Sequence, residues 1–172
     1  INPLGPPEWL RAVISRGMDR LVHYPDPDST ELVQAIADRY GLAPQQIVAG
    51  NGSSEILAAA ARCLRGPGDR GRAVIPVPTY LEYASAATMA GWEVRPVALQ
   101  EDEGFALNWS LLESELRPGD LVLLGQPNNP TGLVFDPERL RRLAAAWPST
   151  RFMVDEAFAD FVEDHPSLMR DV

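Results

Sequence analysis

Short apolar runs recur along the chain between residues 46 and 155, each bounded by glycine, proline or polar residues. A short run of this kind is typical of a strand buried on both faces, and strict alternation is typical of a strand buried on one face. Residues 92–97 alternate, whereas the other runs are continuously apolar. The pattern therefore predicts strands at 46–49, 73–77, 92–97, 121–125 and 151–154.

Between the predicted strands, apolar residues recur three and four positions apart, which indicates amphipathic helices. Ser29 is expected to cap a helix that runs from Thr30 to Tyr40. An earlier helix is predicted from Glu8 to about Arg16, and later helices are predicted to end at Leu64, near Ala90, at Leu116 and at Trp147.

The alternation of strand and helix from residue 46 to 155 predicts an α/β fold. Strands joined by helical crossovers pair in parallel, so we expect a three-layer sandwich in which helices cover both faces of a mostly parallel sheet. Residues 1–45 are predicted to form an N-terminal arm with helices, and residues 46–172 the sheet domain.

Composition excludes several classes of function. The net charge of −9 over 172 residues, without a basic cluster, argues against a nucleic-acid partner. No apolar stretch is long enough for a membrane span and no secretory signal is visible, so a cytoplasmic location is expected. Cys63 is the single cysteine, which excludes an intramolecular disulfide. Its apolar helical neighbours predict a buried structural thiol, and no metal site is predicted.

The segment Gln126–Gly132, with the sequence QPNNPTG, follows the predicted strand 121–125. Pro127 and Pro130 lack backbone donors and restrict φ, so this loop is stiff and holds its asparagine side chains in place. Asp155 stands at the end of the next predicted strand. Because ligands of open α/β sheets bind at the carboxyl ends of strands, the loop and Asp155 are candidates for a ligand site.

Residues Gly50–Glu55, with the sequence GNGSSE, form a glycine-rich turn that leads into a helix. The N–H groups at a helix N-terminus, together with the helix dipole, favour an anion such as phosphate. The turn is neither a dinucleotide fingerprint, since the third glycine is absent, nor a P-loop, since GK[ST] is absent. An ordinary capped helix is the alternative, and Glu55 is predicted to stabilise the first turn.

Together, the motifs NPLG at 2–5, GNGSSE at 50–55, PTYLEY at 78–83, PNNPTG at 127–132 and DEAF at 155–158 resemble the fold-type I pyridoxal-phosphate enzymes. These are the class I and II aminotransferases and their decarboxylase relatives, in particular threonine-phosphate decarboxylases and histidinol-phosphate aminotransferases. The resemblance covers nearly the whole chain. It implies that residues 46–172 are part of a pyridoxal-phosphate-binding large domain, and that residues 1–45 contribute to a small domain and a dimer contact.

The resemblance also implies roles around the cofactor. Asp155 pairs with the protonated pyridine nitrogen, Asn129 donates a hydrogen bond to the 3-oxygen of the ring, and the ring of Tyr80 stacks on the pyridine. Tyr83, one helical turn after Tyr80, is predicted to pack in the core. The implied phosphate ligands are the backbone groups of Gly52, Ser53 and Ser54.

The N-terminal residues take their implied roles from the same family. Tyr24 resembles a tyrosine that reaches the cofactor phosphate of a neighbouring subunit, which predicts a homodimer. The arm at Asn2, Leu4 and Gly5 is expected to contact the substrate. The neighbouring His23 is predicted to be a surface or interface histidine.

All 15 basic residues are arginines, so the chain contains no lysine. A pyridoxal-phosphate enzyme needs a Schiff-base lysine, which in the family follows the DEAF strand. The sequence therefore predicts an N-terminal fragment that is inactive alone. A degenerate homologue without lysine and a non-catalytic interaction module with the cofactor-domain fold are the alternatives.

The residue type at position 158 helps to predict the reaction and its substrate. Aminotransferases of the family commonly carry a tyrosine three residues after the pyridine-pairing aspartate, and phenylalanine cannot donate that hydrogen bond. Threonine-phosphate decarboxylases of the cobalamin pathway match this pattern better. We therefore expect a phosphorylated amino acid or amino alcohol as substrate, and decarboxylation of L-threonine O-3-phosphate as the reaction. Transamination of histidinol phosphate is the alternative.

Overall fold

The computed structural model describes residues 4–66, 71–163 and 167–171, and Asn2 lies outside them. The chain divides into two compact units, Ile1–Ala49 and Gly50–Val172. The second unit contains a sheet in which every strand pair is parallel. Its strands are β1 (Arg72–Val77), β2 (Glu93–Ala98), β3 (Leu121–Gly125) and β4 (Arg151–Asp155), in the spatial order β2-β1-β3-β4.

A helix lies before each strand of this sheet, as parallel pairing requires. The N-terminal unit contains α1 (Glu8–Gly17) and α2 (Thr30–Tyr40), with short 3₁₀ turns at Met18–Arg20 and Pro44–Gln46. The helices of the second unit are α3 (Ser53–Cys63), α4 (Glu82–Met89), α5 (Trp109–Glu115) and α6 (Pro137–Ala146). Two further 3₁₀ turns cover Ala159–Phe161 and Met169–Asp171.

Alternate residues of the central strands point to opposite faces of the sheet, which produces the three layers. On one face, Ile75 and Leu123 pack against apolar residues of α3 and α4. On the other face, Val74 and Val122 pack against apolar residues of α5 and α6. The predicted α/β architecture, with a parallel sheet covered on both faces, is confirmed.

The amino ends of β1 and β3 are joined by a buried ion pair. The Arg72 Nη2 atom lies 2.6 Å from the Asp120 Oδ2 atom, and the Asp120 side chain is 2% exposed. Asp120 also accepts hydrogen bonds from the backbone N–H groups of Arg72 and Arg117. The carboxylate therefore fixes the end of the sheet opposite to the predicted ligand site.

Three local predictions were wrong: the strand at residues 46–49, the helix cap at Ser29 and the burial of Cys63. Residues 46–49 do not form a strand: the run is short, the Pro44–Gln46 turn takes its first residue, and Val48 is 80% exposed. Ser29 precedes α2 but does not cap it, because its backbone is left-handed (φ 49°). The Asp26 carboxylate instead accepts a hydrogen bond from the Thr30 N–H group at 2.7 Å.

Cys63 is exposed, whereas a buried thiol was predicted. The buried residues of α3 are Leu57 and Ala61. At about 100° per residue, a position two residues beyond Ala61 points to the opposite side of the helix. The apolar sequence around Cys63 therefore does not indicate its orientation.

Within the described part of the chain, no helix is both long and apolar enough to cross a membrane.

Candidate active site at the carboxyl ends of the strands

The carboxyl ends of β1, β3 and β4 lie at one edge of the sheet, since the strands are parallel neighbours. The segment after β1 carries Thr79 and Tyr80, the segment after β3 is the QPNNPTG loop, and β4 ends in Asp155. Ligands of open α/β sheets bind at such an edge. Sequence positions that are far apart are thus collected in one place.

Asn128 joins two of these segments. The Thr79 hydroxyl donates to the Asn128 Oδ1 atom at 2.6 Å, and the Asn128 Nδ2 atom donates to the Pro78 carbonyl at 3.1 Å. The same amide donates to the Thr131 Oγ1 atom at 3.0 Å. All polar atoms of the Asn128 side chain are therefore used inside the protein, and Asn128 holds the loop after β3 against the loop after β1.

Gln126 connects the two ends of the QPNNPTG loop through its side chain. Its side chain is fully buried, donates to the Phe135 carbonyl at 2.8 Å and accepts from the Phe135 N–H group at 2.9 Å. Two backbone hydrogen bonds complete the loop, from the Gly132 N–H group to the Asn128 carbonyl and from the Asn128 N–H group to the Leu133 carbonyl. Asn129, which is half-buried, thus lies in a loop whose conformation is held from both sides.

Asp155 is half-buried, and each of its carboxylate oxygens accepts a hydrogen bond. The Ala157 N–H group donates to Oδ1 at 2.9 Å, and the Tyr83 hydroxyl donates to Oδ2 at 3.0 Å. A carboxylate has room for about four hydrogen bonds. Asp155 is therefore oriented by the protein and still has lone pairs for a further donor.

Tyr83 lies in the core, as predicted, but it also contacts the site, which the sequence did not indicate. Its side chain is 2% exposed, while its hydroxyl reaches the Asp155 carboxylate. Burial, followed by the negative charge of Asp155 and the hydrogen bond to it, raises the pKa of Tyr83 above its usual value. The phenol consequently stays protonated and can donate throughout the neutral range.

Tyr80 is connected to Asp155 by Tyr83, which contacts both residues. The rings of Tyr80 and Tyr83 meet edge to face, with their centroids 5.7 Å apart and their planes at 86°. Because Tyr83 contacts both Tyr80 and Asp155, an aromatic side chain after β1 and a carboxylate at the end of β4 belong to one site. Tyr80 is half-buried.

The glycine-rich turn before α3 is also preorganised. Gly52 has φ +93°, a conformation that side chains disfavour, and a Cβ atom added there would meet nothing within 4 Å. The Asn51 N–H group and side chain both donate to the Glu55 carboxylate, so Glu55 stabilises the first turn, as predicted. Ser53 and Ser54 are exposed, and the first N–H groups of a helix have no acceptor within the helix.

The remaining predicted residues lie in the N-terminal unit. Tyr24 is fully exposed, Leu4 is 90% exposed, and Gly5 has φ +68°. Asn2 lies outside the described residues. The substrate contacts of the arm, the phosphate contact of Tyr24 and the assignment of residues 1–45 to a small domain stay predictions.

A cavity of about 280 Å³ lies next to the loop after β3. It is largely apolar, with Phe105, Trp109 and Phe135 among its walls, and Asn128 is at its boundary. Thr79, Gly125 and Thr131 also line it, so the cavity borders the site described above, although Asp155 and Tyr80 are not among its walls. No group of three potential metal ligands occurs among the described residues.

Comparison with known proteins identifies the family. The family model for aminotransferase class I and II matches residues 2–171. The chain belongs to the class I and II aminotransferase family. Enzymes of this family depend on pyridoxal phosphate, and the predicted fold, that of the large domain of pyridoxal-phosphate transferases, is confirmed.

Two curated relatives represent two reactions. Threonine-phosphate decarboxylase of Salmonella typhimurium is 35% identical over 164 residues, which cover 94% of this chain and 44% of that protein. Histidinol-phosphate aminotransferase of Sphingopyxis alaskensis is 38% identical over 168 residues, which cover 94% of this chain and 43% of that protein. The chain thus spans less than half the length of these relatives.

A solved structure relates the fold to the cofactor. Histidinol-phosphate aminotransferase from Sinorhizobium meliloti, in complex with pyridoxal-5'-phosphate, has a TM-score of 0.76 and 26% identity. The match covers 91% of this chain and 42% of that one. The residues present fit this cofactor in their chemistry: an oriented carboxylate for a ring N–H group, an aromatic side chain for the ring face and, at the start of α3, a helix N-terminus for the phosphate.

Proposed function

We propose that the full-length protein is a pyridoxal-phosphate-dependent enzyme that acts on a phosphorylated amino compound, and that its reaction is the decarboxylation of L-threonine O-3-phosphate, a step of cobalamin biosynthesis. The observation that carries the proposal is the grouping of Asp155, Tyr80 and the QPNNPTG loop at one edge of the sheet. The Tyr83 side chain connects the first two, and Asn128 holds the loop beside them.

Each residue of the site has a definite task in this proposal. Asp155 keeps a proton on the pyridine nitrogen by charge pairing and a charge-assisted hydrogen bond. Asn129 hydrogen-bonds the ring oxygen, Tyr80 supports the ring face, and the N-terminus of α3 at Gly52, Ser53 and Ser54 binds the phosphate. With the pyridine nitrogen protonated, the cofactor supplies an electron sink for the bond to be broken.

Phe158 supports decarboxylation over transamination. Its side chain is 49% exposed, and its ring packs against Phe161 at a centroid distance of 6.3 Å. It lacks the hydroxyl that aminotransferases of this family commonly place three residues after the aspartate. Transamination of histidinol phosphate is the second candidate, favoured by the 38% identity to an aminotransferase with that substrate.

The reaction is tested on the purified full-length gene product. We expect carbon dioxide release from L-threonine O-3-phosphate, without a requirement for an oxo acid. Turnover of histidinol phosphate that depends on 2-oxoglutarate would instead identify the aminotransferase.

The third alternative is a non-catalytic protein that retains the cofactor-domain fold, since this chain contains no lysine. The same assay distinguishes it, because such a protein turns over neither substrate. Addition of pyridoxal phosphate is the control for loss of cofactor during purification.

A homodimer in which Tyr24 serves the neighbouring subunit is part of the proposal, and sedimentation of the full-length product tests it.

A further inference from the structure

Tyr83 and Asp155 are brought together across an intervening strand. Tyr83 lies on α4, which follows β1, whereas Asp155 ends β4, and β3 lies between these two strands. The residue of β3 that pairs with Asp155 is Gly125. The Tyr83 hydroxyl therefore extends past the end of β3 in order to donate to Asp155.

Gly125 leaves the space that this contact occupies. A Cβ atom added at Gly125 would lie 3.1 Å from the Tyr83 hydroxyl and 3.0 Å from the Asn128 Cα atom, both closer than ordinary contacts. A larger residue at position 125 would thus displace either the tyrosine or the asparagine loop. The hydrogen bond from Tyr83 to Asp155 therefore depends on a residue without a side chain at position 125.

The two donors on Asp155 act on different oxygens. The Ala157 N–H group holds Oδ1 through the backbone, while the Tyr83 hydroxyl holds Oδ2 from the core. With only one of these bonds, the carboxylate could rotate about its Cβ–Cγ bond. With both, its plane is set, and its remaining lone pairs have a defined direction.

We propose that Tyr83 is a positioning residue that acts through Asp155: its hydroxyl, passing the side-chain-free Gly125, sets the carboxylate plane that faces the pyridine nitrogen of the cofactor. This inference rests on the proposed function, in which Asp155 pairs with that nitrogen. It assigns Tyr83 a task that core packing alone does not explain, because the phenyl ring would pack equally well without the hydroxyl.

The test compares two ligands that differ only at the ring nitrogen. Dissociation constants are measured for pyridoxal phosphate and for its 1-deaza analogue, in which a C–H group replaces the nitrogen, on the wild-type chain and on Tyr83→Phe. We expect the wild type to bind pyridoxal phosphate more tightly than the deaza analogue. In Tyr83→Phe the ratio of the two dissociation constants should fall about tenfold, which is the order expected for one hydrogen bond to a charged group. Affinity for the deaza analogue should be unchanged.

Further variants separate positioning from packing. In an Asp155→Asn background, the additional Tyr83→Phe change should alter neither dissociation constant. Tyr40→Phe removes a hydroxyl from the N-terminal unit and serves as the matched control. If Tyr83→Phe does not fold, Gly125→Ala tests the same contact: displacement of the Tyr83 hydroxyl reduces the preference for the ring nitrogen, whereas displacement of the Asn128 loop weakens the binding of both ligands alike.

The outcomes distinguish this inference from the function on which it rests. A wild-type chain that shows no preference for the ring nitrogen contradicts both the proposed function and the role of Tyr83. A wild-type preference that Tyr83→Phe keeps in full contradicts the positioning role alone. A loss of affinity for both ligands alike, in a folded variant, also contradicts it, because that result indicates a purely structural role.

Discussion

Asn128 and Asn129 are adjacent and chemically identical, yet their surroundings differ. The Asn128 side chain is used in hydrogen bonds to Pro78, Thr79 and Thr131, whereas Asn129 is the residue proposed to contact the cofactor. The sequence predicted a stiff loop that fixes its asparagine side chains. It could not show that one of them, Asn128, fixes the loop itself through hydrogen bonds. That information is tertiary, because Pro78 and Thr79 lie about 50 residues from Asn128 and only Thr131 is a local partner.

The two asparagines should respond differently to replacement by alanine. Asn128→Ala leaves partners in two segments unpaired and should lower the free energy of unfolding by about 2 kcal/mol. Asn129→Ala should change it little but weaken the binding of pyridoxal phosphate. Urea unfolding and ligand titration of both variants check this difference. Equal losses of stability would contradict the division of roles.

At the scale of single elements, the sequence predicted the central part of the fold closely. The strands predicted at 73–77, 92–97, 121–125 and 151–154 are present within one residue of their predicted bounds. Three of these runs were predictable because they are continuously apolar, and β2 was predictable because its apolar and polar residues alternate. The run at 46–49 is also apolar, but it is short, the Pro44–Gln46 turn takes its first residue, and no described strand pairs with it.

The start of α2 illustrates why a local rule failed. Ser29 has the correct residue type and position for a cap, but its left-handed backbone prevents it from capping. Asp26 replaces it by accepting hydrogen bonds from the Thr30 and Asp28 N–H groups. Sequence rules place the cap directly before the helix, whereas the chain places the acceptor in the preceding turn.

We predict that Asp26→Ala lowers the unfolding midpoint more than Ser29→Ala does. The hydrogen bonds with Thr30 lower the pKa of Asp26 below its ordinary value of 3.8. The unfolded chain therefore binds this proton at a higher pH than the folded chain, so the Asp26 contribution is complete above about pH 4 and is lost as the pH falls further. Thermal unfolding of both variants at pH 7 and pH 3 checks this, and a difference that persists unchanged at pH 3 would contradict it.

Breaking the buried pair at the amino ends of β1 and β3 should destabilise the protein far more than breaking an exposed ion pair. Asp120→Ala leaves the Arg72 guanidinium buried without its carboxylate, and should cost about 3–5 kcal/mol in the free energy of unfolding. Glu31→Ala, which breaks the exposed pair with Arg20, is the matched control and should cost less than about 1 kcal/mol. Similar losses for the two variants would show that burial does not determine the effect.

At the scale of the whole molecule, the three-layer arrangement follows from the strand and helix alternation, but the composition of the site does not. The contact between Tyr83 and Asp155 joins residues 72 positions apart and depends on β3 ending in a glycine. Sequence motifs identified Asp155, Tyr80 and the asparagine loop as candidates. The residue that connects two of them was assigned to the core, because an apolar pattern does not reveal where a hydroxyl points.

The central claim is that segments at the carboxyl ends of β1, β3 and β4, together with the N-terminus of α3, bind a phosphorylated pyridine by its edge, its face and its phosphate. Mapping of pyridoxal-phosphate binding by amide chemical shifts of the isotopically labelled chain tests it most directly. The account predicts saturable changes concentrated at Gly52–Ser54, Tyr80, Asn129 and Asp155, whereas inorganic phosphate added alone should change only Gly52–Ser54. The absence of saturable changes, or changes confined to the apolar cavity near Phe105 and Trp109, would contradict it.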